Sequence, residues 1–130
     1  MTTDRALYRW KPAYNTGCLQ IDRQHKDFLQ IINRLSQADD DRPDFLAGLH
    51  EELRHYVAFH FTSEENLMVL HRYPDLERHR LEHRILLKDL ASRIEGDRGR
   101  LVLFLVKWFV NHSTEEDRAL ARHMAGREAP

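Results

Sequence analysis

Cysteine is almost missing from this chain of 130 residues, where Cys18 stands alone. That excludes an internal disulfide, disfavours thiolate metal sites and iron–sulfur clusters, and makes a reducing, cytoplasmic setting the expectation. Glycine and proline are scarce, at five and four. Most mark breaks, at Pro12 and Gly17, Pro43, Pro74, then Gly96 and Gly99, with long uninterrupted stretches between them. No long apolar run is present. The longest, from Leu101 to Val110, is interrupted by Lys107 and falls short of the roughly 20 residues a membrane-spanning helix needs, so no membrane insertion is expected. The opening MTTDRALYRW lacks the apolar core of a secretory leader. Neither sign of charge dominates: 20 Lys and Arg face 21 Asp and Glu, for a net charge of -1. Nothing electrostatic therefore points to nucleic acid or an anionic membrane as partner.

Histidine, by contrast, is abundant, with nine residues and no histidine-rich tract. Their positions acquire meaning from the periodicity of the chain. Four stretches carry apolar residues at alternating steps of three and four, the pattern of a bundle helix. They run over about 22–37, with Asp22 as the expected N-cap, 43–71, 75–94 and 99–124. Few residues separate them, so the spacing predicts an all-α fold, an antiparallel up-down-up-down four-helix bundle. Residues 1–20 read as an N-terminal extended arm, because Tyr8, Trp10 and Tyr14 favour burial. The bundle then occupies 21–125 of a single domain spanning 1–130, expected as a monomer or weak homo-oligomer.

The seams of these helices should be apolar, yet His25, His60, Glu64, His79, His83 and His112 all fall on them. Burying an unpartnered polar group costs about 1–3 kcal/mol on mutational scales, and an ionised carboxylate more. Taken singly, an inward histidine is ordinarily a hydrogen-bonded core residue. Taken together on four helices, these residues call for a common partner, and a metal site between the helices supplies one. His60 and Glu64, like His79 and His83, are four residues apart and so share a helix face. Imidazole with carboxylate and no thiolate suits iron, manganese or zinc. Asp117 follows His112 by five residues, which leaves the two side chains about 140° apart on a regular helix. Leu120 and Met124 continue from Asp117, so the pattern slips by one residue, and a π-bulge between His112 and Asp117 is the expected remedy. If two six-coordinate ions share two bridging carboxylates and a bridging oxide or hydroxide, the five histidines leave one of twelve positions open, as a binding site requires and a structural site does not.

The segments Ile21-Asp22-Arg23-Gln24-His25-Lys26, His60-Phe61, Glu64-Glu65-Asn66-Leu67-Met68, Arg72-Tyr73-Pro74, His79 with His83, and Trp108 with Asn111-His112 and Asp117 follow one another in order. As a set they resemble the hemerythrin family, specifically its single-domain bacterial members, over about residues 10–120. The resemblance implies a non-haem diiron centre with a bridging oxide or hydroxide. One iron would take His79, His83 and His112, the other His25 and His60, with Glu64 and Asp117 bridging. The second iron would hold the open position and bind dioxygen reversibly, without net chemistry, for carriage, storage or delivery to an oxygen-using enzyme. Phe28, Phe61, Trp108 and Phe109 are the expected water-excluding pocket. Ser113 joins them, at a position where the family usually places a bulky aliphatic residue. An oxygen or redox sensor and a diiron enzyme of peroxidase or nitric oxide reductase type are the alternatives.

Two competing motifs carry less. His79-Arg80-Leu81-Glu82-His83 matches the H-x-x-E-H of a zinc peptidase, but that reading leaves five other inward-facing donors unexplained, and Glu82 is expected to be solvated. Glu52-Leu53-Arg54-His55 matches half of a ferritin-type diiron motif, and both its polar members miss the seam. His50, His55, His71 and His123 are expected bystanders.

Overall fold

The computed structural model describes residues 8–126, and among them it contains helices and no strand. Four rods form the molecule: α1 (Leu19–Gln37), α2 (Pro43–Leu70), α3 (Leu76–Ile94), and a fourth made of α4 (Arg98–Trp108), a π turn (Phe109–Ser113) and α5 (Thr114–Met124). No helix is long and apolar enough to cross a membrane among these residues.

Cross-helix contacts establish the antiparallel bundle. Gln20 bonds to Ser63 while Arg34 bonds to Glu52, so α1 and α2 run in opposite directions. His83 meets Glu65 while Arg54 meets Glu95, which does the same for α2 and α3. Arg78 meets Glu116 while Arg93 lies over the ring of Phe104, which orients α3 against the last rod. His25 with Asp117 and Phe28 with Trp108 close the circuit between the first and last rods.

Apolar burial is divided between two regions. Ile32, Leu35, Leu53, Leu101 and Leu105 fill one end of the bundle with essentially no solvent contact, each contributing about 1.5–3 kcal/mol. Ile21, Met68, Tyr73 and Leu120 close the other end. Arg72 takes the left-handed conformation, φ 53°, just past α2, and the Tyr73 N–H reaches back to the Met68 carbonyl. This turn brings Tyr73 into the second cluster, with its ring 5.6 Å from that of His79. The polar side chains of the site lie between these apolar regions.

Three local expectations need correction. First, α1 begins at Leu19, with Cys18 at the N-cap position, and Asp22 lies inside the first turn. Asp22 caps the arm instead of the helix: its carboxylate accepts the Thr16 N–H at 2.8 Å and the Thr16 hydroxyl at 2.7 Å. Second, the register slip in the last rod is absorbed by a π turn at Phe109–Ser113, which overlaps only the start of the 112–117 span the spacing suggested. The Thr114 N–H bonds to the Phe109 carbonyl five residues back, and the Thr114 hydroxyl takes the Val110 carbonyl at 2.7 Å. A side chain thus satisfies the acceptor that a regular ladder would have given to the Thr114 N–H. Third, the arm is not extended throughout, because Pro12–Tyr14 form a 3-10 turn. Tyr8, Trp10 and Tyr14 do pack on the core, with Tyr14 meeting Phe109 edge-on at 5.3 Å.

Candidate metal centre

Six of the seven predicted ligands come together in the interior. His25, His60, Glu64, His79, His83 and Asp117 are all buried, with exposures between 1% and 6%. The seventh, His112, is only partly buried, with 41% of its side chain exposed. α1 supplies His25, α2 His60 and Glu64, α3 His79 and His83, and the last rod His112 and Asp117.

Two overlapping groups can be distinguished. Donor atoms of His25, His60, Glu64 and Asp117 all lie within 4.8 Å of one another. His25 Nε2 is 2.7 Å from Asp117 Oδ2, and His60 Nε2 is 3.8 Å from the same oxygen. Beside this group is a small cavity whose lining includes Glu64, His79, His83, His112 and Asp117. Glu64 belongs to both groups: one of its oxygens is 3.2 Å from His60 Nε2 and the other 3.2 Å from His83 Nε2.

The histidines are aimed from behind. His60 Nδ1 is 2.7 Å from Gln24 Oε1, and His83 Nδ1 is 2.7 Å from Glu65 Oε2. Both partners are oxygens that accept, so each Nδ1 carries a hydrogen and each Nε2, once free of its own proton, is the donor atom toward the centre, the usual way a protein sets a metal-binding tautomer. Gln24 is in turn fixed by Ser63 through a hydrogen bond of 2.9 Å. Helix periodicity gives neither Gln24 nor Glu65 a role, although both adjoin a ligand in the motif segments. Adjacency to a ligand on a helix was the available signal.

His60 Nε2, Glu64 Oε2 and His79 Nε2 are buried without a hydrogen bond. His60 Nε2 and Glu64 Oε2 face each other at 3.2 Å, whereas leaving His79 Nε2 unmatched costs about 1–3 kcal/mol, and a cation among nitrogen and oxygen donors matches all three. This donor set fits a borderline divalent metal. Burial alone disfavours the charged form of His60, but Glu64 and Asp117 outweigh it and push its pKa up to about 10. His83 is raised too, with Glu64 and Glu65 overcoming burial. Burial works to raise Asp117, and its contacts with His25 and His60 hold its carboxyl well below the usual range. The interior is thus built to balance concentrated negative charge, by protons or by metal.

Phe61 and Trp108 line the cavity beside the buried donors, and Phe28 and Phe109 pack behind them. Phe61 stacks on His83 with ring centres 3.9 Å apart, and Trp108 meets Phe61 edge-on at 5.5 Å. Phe109, fully buried, meets His25 edge-on at 5.2 Å, and Phe28 touches both Phe109 and Trp108. The side chain of Ser113 lies outside the described residues. Glu82 departs from expectation: it is three-quarters buried, with an oxygen 3.0 Å from His112 Nε2 and another 2.6 Å from Arg78.

Comparison with known proteins agrees with this architecture. The profile of the Hemerythrin HHE cation binding domain matches residues 19–124. A bacteriohemerythrin of Clostridium acetobutylicum is 28% identical over 125 residues, covering 86% of this chain and 97% of that protein. A bacteriohemerythrin of Stenotrophomonas maltophilia is 30% identical over 123 residues, covering 89% and 80%. A hemerythrin-like protein of Naegleria gruberi is 29% identical over 117 residues, covering 89% and 92%. With its cation-binding profile spanning all four rods and every inward-facing donor, the chain belongs to the hemerythrin family.

Proposed function

We propose that the chain holds two non-haem irons and binds dioxygen reversibly, for carriage, storage or delivery to an oxygen-using enzyme. His79, His83 and His112 would hold one iron and His25 and His60 the other, with Glu64 and Asp117 shared. The observation that carries the reading is the placement of Glu64, whose two oxygens address histidines of the two different sets at equal distance. A reduced iron pair supplies the two electrons that bind dioxygen. The protein's own residues orient the histidines through Gln24 and Glu65 and keep water from the buried donors with Phe61, Phe109 and Phe28. Trp108 adds an indole N–H that is buried without a hydrogen bond and lines the cavity.

A diiron enzyme is the second reading, favoured by one observation. Glu82 and Glu116 line the same cavity as the histidines, and carboxylate-rich surroundings favour oxidising chemistry over reversible binding. One experiment separates the two. The iron-loaded protein, with two irons per chain by metal analysis, is reduced without air and then given oxygen. A visible absorption that appears with oxygen and disappears on degassing supports carriage. Irreversible conversion to a diferric product, with peroxide released or consumed, supports the enzyme.

A further inference from the structure

The candidate ligands differ sharply in their access to solvent. Six are buried, and His112 is partly exposed beside two acids that the inner site does not use, Glu82 and Glu116, whose side chains are each about a quarter exposed. Donor atoms of Glu82, His112 and Glu116 lie within 4.8 Å of one another. Donors bound about 2.1 Å from one ion are separated by up to roughly 4.2 Å, so only slight closure is needed.

We propose that Glu82, His112 and Glu116 form an outer cation site, which captures a divalent metal from solvent and passes it to the inner ligands. The inference rests on the metal-binding reading above and adds the route by which the centre is filled.

A second, independent observation supports it. His79 is 2% exposed, and its Nε2 has no hydrogen bond. That nitrogen lies 3.7 Å from Glu116 Oε2 and lines the same cavity as the outer three residues. An ion held by Glu116 thus has a waiting donor on its inner side. His112 belongs to both the outer and inner sets, so an ion moving inward keeps one ligand throughout. One imidazole with two carboxylates suits iron(II), manganese, cobalt or zinc.

Arg78 is the counter-ion to be displaced. Its guanidinium lies 2.6 Å from Glu82, 3.1 Å from Glu116 and 3.2 Å from Asp75, and its side chain is half exposed. In the metal-free protein it neutralises the two outer carboxylates and holds them at the mouth. An arriving dication competes with it for both.

The test is the rate at which the metal-free full chain takes up cobalt(II), followed by stopped-flow absorption. Acids lining a mouth raise capture rates by roughly 10–1,000-fold. The Glu82→Gln/Glu116→Gln double variant should therefore load at least about tenfold more slowly than wild type, at low ionic strength, while reaching the same two ions per chain. Glu115→Gln removes one charge, half of what the double variant removes, from an acid that is 72% exposed and paired with Arg118, and should load at the wild-type rate. Arg78→Gln should load faster, because the competing cation is gone. Opposite signs for the acid and arginine variants distinguish capture from simple loss of structure. Equal rates for the double variant and wild type would overturn the proposal, as would slowing by Arg78→Gln or slowing by Glu115→Gln to the same degree. A double variant that loads fast but ends with fewer ions would also overturn it, by making Glu82 or Glu116 an inner ligand. A wild-type chain that never reaches two ions would refute the diiron reading itself, a separate failure visible before any variant is made.

Discussion

Metal returned to the stripped protein should bind more tightly as pH rises, and the slope follows from the interior. In the metal-free protein His60 Nε2 faces Glu64 at 3.2 Å and Asp117 at 3.8 Å, and these carboxylates keep the ring protonated up to about pH 10. At pH 7 the ring is three units below that value, so freeing Nε2 for a metal costs about 4 kcal/mol at about 1.4 kcal/mol per unit. Each proton expelled on binding makes the apparent affinity rise about tenfold per pH unit. His83, also raised, adds a second proton over the range below its own pKa. The metal-free fold has the opposite dependence. The folded pKa of His60 lies above its unfolded value of about 6.5. Its stabilisation is therefore complete below that pH and is lost as pH rises toward 10. Asp117 is depressed, so its contribution is present above about pH 4 and is lost in acid. The assay is a zinc(II) competition titration against a chelator from pH 6.5 to 9, with an indicator for released protons and urea melts of the metal-free protein alongside. A flat affinity after correction for the chelator, with no proton release, would refute the argument that protons and metal occupy the same place.

Three further outcomes are expected. Gln24→Leu removes the acceptor that fixes the His60 tautomer, and should weaken one of the two metals by about 10–100-fold with little loss of helicity, as read by metal titration and circular dichroism. Phe109→Ala empties a fully buried position that supports His25 and anchors Tyr14 and Trp10, and should cost about 3–5 kcal/mol in urea unfolding. Ser113→Ile, restoring the bulky aliphatic usual in the family, should slow autoxidation of the oxygenated protein. Equal or faster decay in that variant would remove Ser113 from the pocket.

The four rods were legible because each carries a seam, and the site because histidines and acids interrupt all four. Periodicity reports which residues face inward, and for His25, His60, Glu64, His79, His83 and Asp117 inward facing and burial coincide. It is silent on partners across helices. Glu82 lies off the α3 seam and so reads as solvated, yet the neighbouring rod places His112 against it. Asp22 has the chemistry of an N-cap, but its acceptor serves Thr16 in the arm, a contact that no pattern within one helix encodes. His112 falls on the seam by spacing, while the π turn that carries it leaves it half-exposed.

The π turn accounts for this combination of a closed site with one accessible histidine. A regular helix keeping Trp108 and Phe109 against Phe28 would continue its inward face at steps of three and four, leaving Asp117 off the seam. The extra residue in the turn restores Asp117, Leu120 and Ala121 to the interior, and the widened segment displaces His112 toward solvent. Its cost in backbone hydrogen bonding is limited by Thr114, whose hydroxyl occupies the Val110 carbonyl. Burial of Asp117 and partial exposure of His112 are thus consequences of the one extra residue in the turn. Deletion of the exposed Asn111 should then give a regular last helix that keeps Asp117 on the seam, seven residues after Phe109, and turns His112 to the opposite face, with a metal-free Tm at or above wild type and the His79–His83 side unable to retain metal. Retention of both metals by that deletion would mean the turn has no part in building the centre.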